Sequence, residues 1–162
     1  MSRVYISDTN IWIDFRNAGL LDELFELPFI FCCTDFVLDE LNNFDHAALL
    51  ERGLRVEQMD DTAVIKLYGL MTKHNNSSLA DVSCYFLAQE TARPLLTGDG
   101  RLRKQAQRDG LEVHGALWLL DRLVEQAVVS PKRAADCLDS ILLKNARLPH
   151  AECQARLLLW RA

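Results

Sequence analysis

The order of apolar segments predicts an α/β fold, because short β-type runs alternate with helical stretches from residue 4 to residue 114. Such alternation builds a mainly parallel sheet of about five strands, joined by right-handed crossovers and flanked by helices. Two of the runs end in an acid, VYISD at Asp8 and PLLTGD at Asp99, and open parallel sheets bind ligands at the carboxyl ends of their strands. No linker or internal repeat interrupts the 162 residues, of which 49% are hydrophobic, so the chain reads as one globular unit with a sizeable core.

The first strand is expected over 4–7, followed by helices over 11–16 and 20–26. FIFCC makes a second strand over 29–33, and Thr34 or Asp35 can cap a helix over 36–43 that continues in a further helical stretch to residue 51. A third strand over 55–59 is weakened by Glu57 and Gln58. A helix over 62–73 leads through the polar loop HNNSS into a helix over 79–91. A strand over 94–97, a helix over 101–109 stopped by Gly110, and a strand over 111–114 complete the alternation. After Gly115 three helical patterns follow, broken at Ser130-Pro131 and at Pro149. The expected organisation is a domain over 1–115 carrying a helical extension, 116–162, packed on it.

The formal net charge of −5 argues against gripping nucleic acid by bulk charge, so any such contact has to be a local basic face. Five cysteines, an odd number without zinc-type CxxC spacing, fit buried thiols in a reducing compartment. No apolar run reaches the length of a membrane span or a signal peptide, and the expected location is cytoplasmic. The histidines, His46, His74, His114 and His150, lack metal-ligand spacing. Tyr85 and Trp118 read as core or interface residues.

Four acids carry the functional signal. Asp8 and Asp99 end strands, and each can equally cap the helix that follows it. On a helical wheel Glu40 borders the stripe of Val37, Leu41 and Phe44 and is expected to face inward, while Asp39 faces water. A long acid at a stripe edge can also reach out to solvent. Asp81 shares a helix face with Cys84, Tyr85 and Ala88, although Ser78 three residues earlier allows a capping role. Buried carboxylates are rare unless paired or metal-bound, and four gathered in one crevice repel unless a hard divalent cation offsets them.

The sequence resembles the PIN domain family at SDTN with Asp8, TDFVLDEL with Glu40, SLADVSCYFLA with Asp81 and LLTGDGRLRKQA with Asp99. These are metal-dependent ribonucleases that include type II toxin-antitoxin toxins of the virulence-associated C type. The resemblance covers roughly residues 3–115, and the tail is similar to that of a prokaryotic PIN-like subgroup with an extended carboxyl-terminal helical region. It implies a PIN-like three-layer fold and an acidic quartet of Asp8, Glu40, Asp81 and Asp99 that is both catalytic and metal-binding, with Asn10 and Thr97 ordering the site. It also implies Mg²⁺ or Mn²⁺ as cofactor, RNA as substrate and a small antitoxin protein as a partner. Arg101 stands where the family sometimes has another acid or amide, which implies a weaker second metal site.

Arg101, Lys104 and Arg108, at i, i+3 and i+7 after Asp99, form a basic helix face suited to RNA phosphates or, equally, to solvent; Arg103 points elsewhere. Apolar stretches in the tail can close the core, form a homodimer or cover a partner groove. Phosphotransfer through an aspartyl phosphate is disfavoured, since DTN lacks the second acid of a DxD nucleophile motif. The competing reading is a noncatalytic PIN-like binding module.

Overall fold

The computed structural model describes residues 3–74, 77–145 and 147–162. Strands β1 (Arg3–Ser7), β2 (Phe29–Thr34), β3 (Arg55–Glu57), β4 (Leu95–Leu96) and β5 (Val113–His114) form one sheet in the order β3-β2-β1-β4-β5, and every pairing is parallel. The chain builds outward from β1 to β2 and β3, then returns to the other side of β1 for β4 and β5. That reversal leaves a crevice beyond the carboxyl ends of β1 and β4.

Helices α1 (Thr9–Asn17), α2 (Leu21–Leu24), α3 (Asp35–Glu40), α4 (His46–Glu51), α5 (Asp61–Met71), α6 (Leu79–Thr91) and α7 (Gly100–Arg108) connect the strands. Residues Ala80 to Ala88 of α6 are all buried, because this helix lies against β1, β2 and β4 on one side and against α3, α5 and α7 on the others. Its buried stretch is therefore apolar nearly all round, which makes the one acid within it, Asp81, conspicuous.

Three tail helices follow, α8 (Ala116–Glu125), α9 (Pro131–Lys144) and α10 (His150–Trp160). Helix α8 contacts β5, α1 and α2, while α9 packs on α1 and α10 on α9. Ala134, Leu138 and Ile141 of α9 are fully buried and join the same hydrophobic core as Ile11, Trp12 and Phe15 of α1. An ion pair from Arg133 to Glu23, at 2.8 Å, spans the exposed edge of this packing.

Two elements differ from the sequence expectation in an instructive way. The helix expected over 36–43 ends at Glu40, where Leu41 takes a non-helical ψ of 46°, and Asp45 starts α4 by accepting from the Ala48 N–H at 3.1 Å. The strand expected over 55–59 stops at Glu57, because the Met59 N–H donates to Asp35 Oδ1 at 3.1 Å, outside the ladder. The polar loop expected over 74–78 falls partly on residues 75 and 76, outside the described residues. All five cysteines are buried free thiols. Among the described residues, no helix is long and apolar enough to cross a membrane.

Candidate active site

The sheet register builds the crevice. Ser7 pairs with Leu96, and the Asp8 N–H donates to the Leu96 carbonyl at 3.0 Å, so Asp8 and Thr97 leave neighbouring strands side by side. Asp8 is fully buried. Its Oδ1 accepts from the Ile11 N–H at 3.1 Å, capping α1, while its Oδ2 accepts from the Thr97 hydroxyl at 2.6 Å and the Gly98 N–H at 2.9 Å. The two oxygens of this carboxylate thus have separate partners, Oδ1 serving the cap of α1 and Oδ2 the end of β4.

Asp99 divides its oxygens in the same way. Oδ1 caps α7 by accepting from the N–H groups of Arg101, at 2.9 Å, and Leu102, at 3.2 Å, whereas Oδ2 accepts from the Ser77 hydroxyl at 2.6 Å. Thr97 ties the two acids together, since its Oγ1 also accepts from the Asp99 N–H at 3.0 Å.

Asp81 sits in the first turn of α6, where Ser78 Oγ accepts from its N–H at 3.0 Å. Its side chain is 6% exposed as a residue, and its Oδ1 is buried with no hydrogen-bond partner. Burial, followed by the charges of Asp8, Asp99 and Glu40, pushes its carboxyl up to about 8. All four acids therefore share one electrostatic field. Asp8 is raised to about 6, chiefly by burial, against the lowering effect of its bonds from Thr97, Gly98 and Ile11.

Glu40 departs from the inward-facing expectation, for it is exposed. Since α3 ends at this residue, its side chain stands at the rim of the crevice, where it accepts from the Thr9 hydroxyl at 2.6 Å. Asn10 is half-buried and packs over Gly98: a Cβ added to that glycine would stand 3.1 Å from Asn10 Cβ. This close approach keeps the Gly98 backbone within reach of Asp8.

Each of Asp8, Asp99 and Glu40 is thus turned toward a hydroxyl, from Thr97, Ser77 and Thr9 respectively. Among the described residues no three His, Cys, Asp or Glu side chains already form a metal cage. The donor set is nevertheless all oxygen, the preference of hard divalent cations, and the orphaned Asp81 Oδ1 is a buried group that such a cation would satisfy. The residues present fit a divalent cation.

A cleft of about 800 Å³ opens beside Thr97, Gly98 and Asp99. Arg101 and Lys104 line it, whereas Arg108 is exposed and lies outside the lining. Arg103, expected to point elsewhere, also lines the cleft. It approaches Gly115, where a Cβ would stand 3.4 Å from Arg103 Nη1. Arg101 further borders a second cleft, of about 450 Å³, with Lys73 and His74.

Sequence reasoning missed Thr9, Ser77 and Asp14. Asp14 is 4% exposed on the same helix as Ile11, Trp12 and Phe15, and like Asp81 it is an acid among apolar neighbours, a signal visible in the sequence. The two hydroxyls carried no comparable signal, because serine and threonine near helix starts are ordinary caps.

Comparison with known proteins agrees with this architecture. The family profile DUF3368, described as a PIN domain, matches residues 4–161 and so spans the tail as well as the sheet. Among solved structures, the chain is similar to a PilT N-terminus domain protein, SSO1118, from the hyperthermophilic archaeon Sulfolobus solfataricus P2. The TM-score is 0.52 at 14% identity, covering 75% of this chain and 94% of that one, a likeness of fold. No curated protein matches the chain.

Proposed function

Because the chain belongs to the PIN domain family, whose members are generally nucleases, we propose that it is a Mg²⁺- or Mn²⁺-dependent endoribonuclease hydrolysing RNA phosphodiester bonds at the acidic crevice. The observation that carries this reading is Asp81, a buried carboxylate with an unpartnered oxygen, raised by burial and by the charges of Asp8, Asp99 and Glu40. A structural acid in the core is normally hydrogen-bonded or ion-paired. One with an oxygen left unpartnered among three other acids is arranged for a cation.

On this reading Asp8, Glu40, Asp81 and Asp99 hold the cation, which when bound activates a water and offsets charge on the scissile phosphate. Thr97 and Gly98 hold Asp8, Ser77 holds Asp99, and Asn10 keeps the Gly98 backbone in register. Arg101 and Lys104 present positive charge to the substrate backbone next to Asp99, and Arg108 meets the strand farther along α7. Residues 1–115 carry the chemistry and 116–162 form an extension packed on the same domain. A toxin role, with a small antitoxin protein or a second copy of the chain as partner, rests on the family alone.

Purified protein incubated with single-stranded RNA is expected to cut it with Mg²⁺ or Mn²⁺ and to stop in chelator, and Asp81→Asn and Asp99→Asn are expected to abolish cleavage without unfolding. Equal degradation by wild type and both variants would assign the activity to another source. The noncatalytic alternative draws on the lack of a ready-made metal cage among the described residues. Single-turnover assays at high enzyme concentration separate the two, because a binding module leaves the RNA intact under every metal condition.

A further inference from the structure

The tail contributes more than core packing to the cleft beside Asp99. Arg147, between α9 and α10, joins the lining of this cleft, and α10 adds Arg156. Among the described residues, Arg156 is consumed by a two-pronged bond to Asp121, at 2.8 and 2.7 Å, whereas Arg101, Arg103, Lys104 and Arg147 make no ion pair.

Arg147 is tied to the candidate active site by one residue. Asn145 Nδ2 donates to both oxygens of Asp14, at 3.2 Å each, while Asn145 Oδ1 accepts from the Arg147 N–H at 3.1 Å. Asp14 lies on α1, the helix that Asp8 caps, so the clamp fixes the tail loop to the element that begins at the acidic crevice. Arg103, on α7, lies near the ends of β4 and β5, where its Nη1 and the Thr97 carbonyl both approach Gly115.

We propose that Arg103 and Arg147 together form a path for the backbone of single-stranded RNA, one supplied by α7 and the other by the tail. This rests on the nuclease reading above and adds to it where the strand runs. Among the described residues no acid of the cleft forms an ion pair with Arg103 or Arg147: Asp121 pairs with Arg156, Asp99 accepts from Ser77, and Asp14 is clamped by Asn145, although the charge of Arg147 reaches it. Guanidinium groups match phosphate in charge and geometry. Trp118, also in the lining, is already stacked with His114, at a centroid distance of 4.0 Å, and with Phe29, at 5.6 Å. The path therefore engages backbone rather than bases, and binding tolerates sequence.

The test is fluorescence anisotropy of a short labelled oligouridine in chelator, where no metal-dependent cleavage occurs, as a function of salt. The variant Arg103→Ala/Arg147→Ala is expected to bind about tenfold or more weakly, and its log–log salt slope to shrink by roughly 1.4, about 0.7 for each lost single-strand phosphate contact. Arg103→Lys/Arg147→Lys should retain the slope, and Arg133→Ala, on the tail but paired with Glu23, should match wild type. Circular dichroism of each variant confirms that it is folded. Wild-type affinity and slope in the double alanine variant overturn the path, as does uridine monophosphate binding as tightly as the oligonucleotide. If that variant binds like wild type while Asp99→Asn abolishes cleavage, the path fails and the nuclease reading stands. If the double variant loses affinity and slope as expected but wild type never cuts RNA with metal, the nuclease reading fails and the path stands.

Discussion

The Thr97 hydroxyl donates to Asp8 Oδ2 at 2.6 Å across the carboxyl ends of two adjacent parallel strands, and the same oxygen accepts from the Asp99 N–H at 3.0 Å. One side chain thereby sets the positions of two acids that are distant in sequence. Replacing Thr97 with Val keeps the shape but leaves a buried carboxylate oxygen and a backbone N–H short of a partner. The expected loss is about 1–3 kcal/mol of stability, with Thr97→Ser restoring most of it. Urea denaturation of the three proteins measures this, and a Val variant as stable as wild type would remove Thr97 from its positioning role.

Stability without metal should fall as pH rises across the neutral range. Asp8 and Asp14 are raised to about 6 and Asp81 to about 8, each chiefly by burial. Raised carboxyls bind protons more tightly in the folded than in the unfolded chain, so their contribution is greatest below the unfolded value of about 4 and is lost as pH climbs through the folded values. The melting temperature in chelator is expected to decline from about pH 5 to pH 8, more steeply for wild type than for Asp81→Asn above pH 6. Saturating Mg²⁺ should flatten the decline, because it binds the deprotonated folded site. A profile that rises over this range contradicts the account.

Asp99 serves both as helix cap and as crevice acid, and two substitutions separate these roles. Asparagine keeps a cap acceptor for the Arg101 and Leu102 N–H groups, and the Ser77 hydroxyl can turn to accept from its amide. With one negative charge removed beside Asp81, Asp99→Asn should melt at or above metal-free wild type and respond less to Mg²⁺ or Mn²⁺. Asp99→Ala loses the cap and should be about 1 kcal/mol less stable. Paired thermal titrations at constant ionic strength read both effects. An Asn variant that is less stable yet equally metal-responsive would reduce Asp99 to a cap.

Gly98 and Asn10 form a coupled pair. A methyl at Gly98 would meet Asn10 Cβ at 3.1 Å, so Gly98→Ala should cost about 1–3 kcal/mol by overpacking. Asn10→Ala cannot relieve the contact, because the Cβ remains, whereas Asn10→Gly can, at the usual helix cost of glycine. A double-mutant cycle with Asn10→Gly should give a favourable coupling energy, and strict additivity would mean that the two residues do not constrain each other.

The alternation of strands and helices, the strand-end positions of Asp8 and Asp99, and the anomaly of Asp81 within an apolar helix are all written in local residue pattern. Period and burial pattern are local properties, legible wherever a helix or strand has one preferred face. The sequence was less informative where a neighbour from elsewhere in the chain decides the outcome. Glu40 stands at the rim because α3 stops one turn earlier than its apolar pattern suggests, and Arg103 joins the cleft lining because tertiary packing sets α7 beside Gly115 at the end of β5. The hydroxyl partners of the acids, and the Asn145 clamp on Asp14, join residues up to 131 positions apart. No periodicity encodes such contacts; they exist only once sheet register and tail packing bring the groups together.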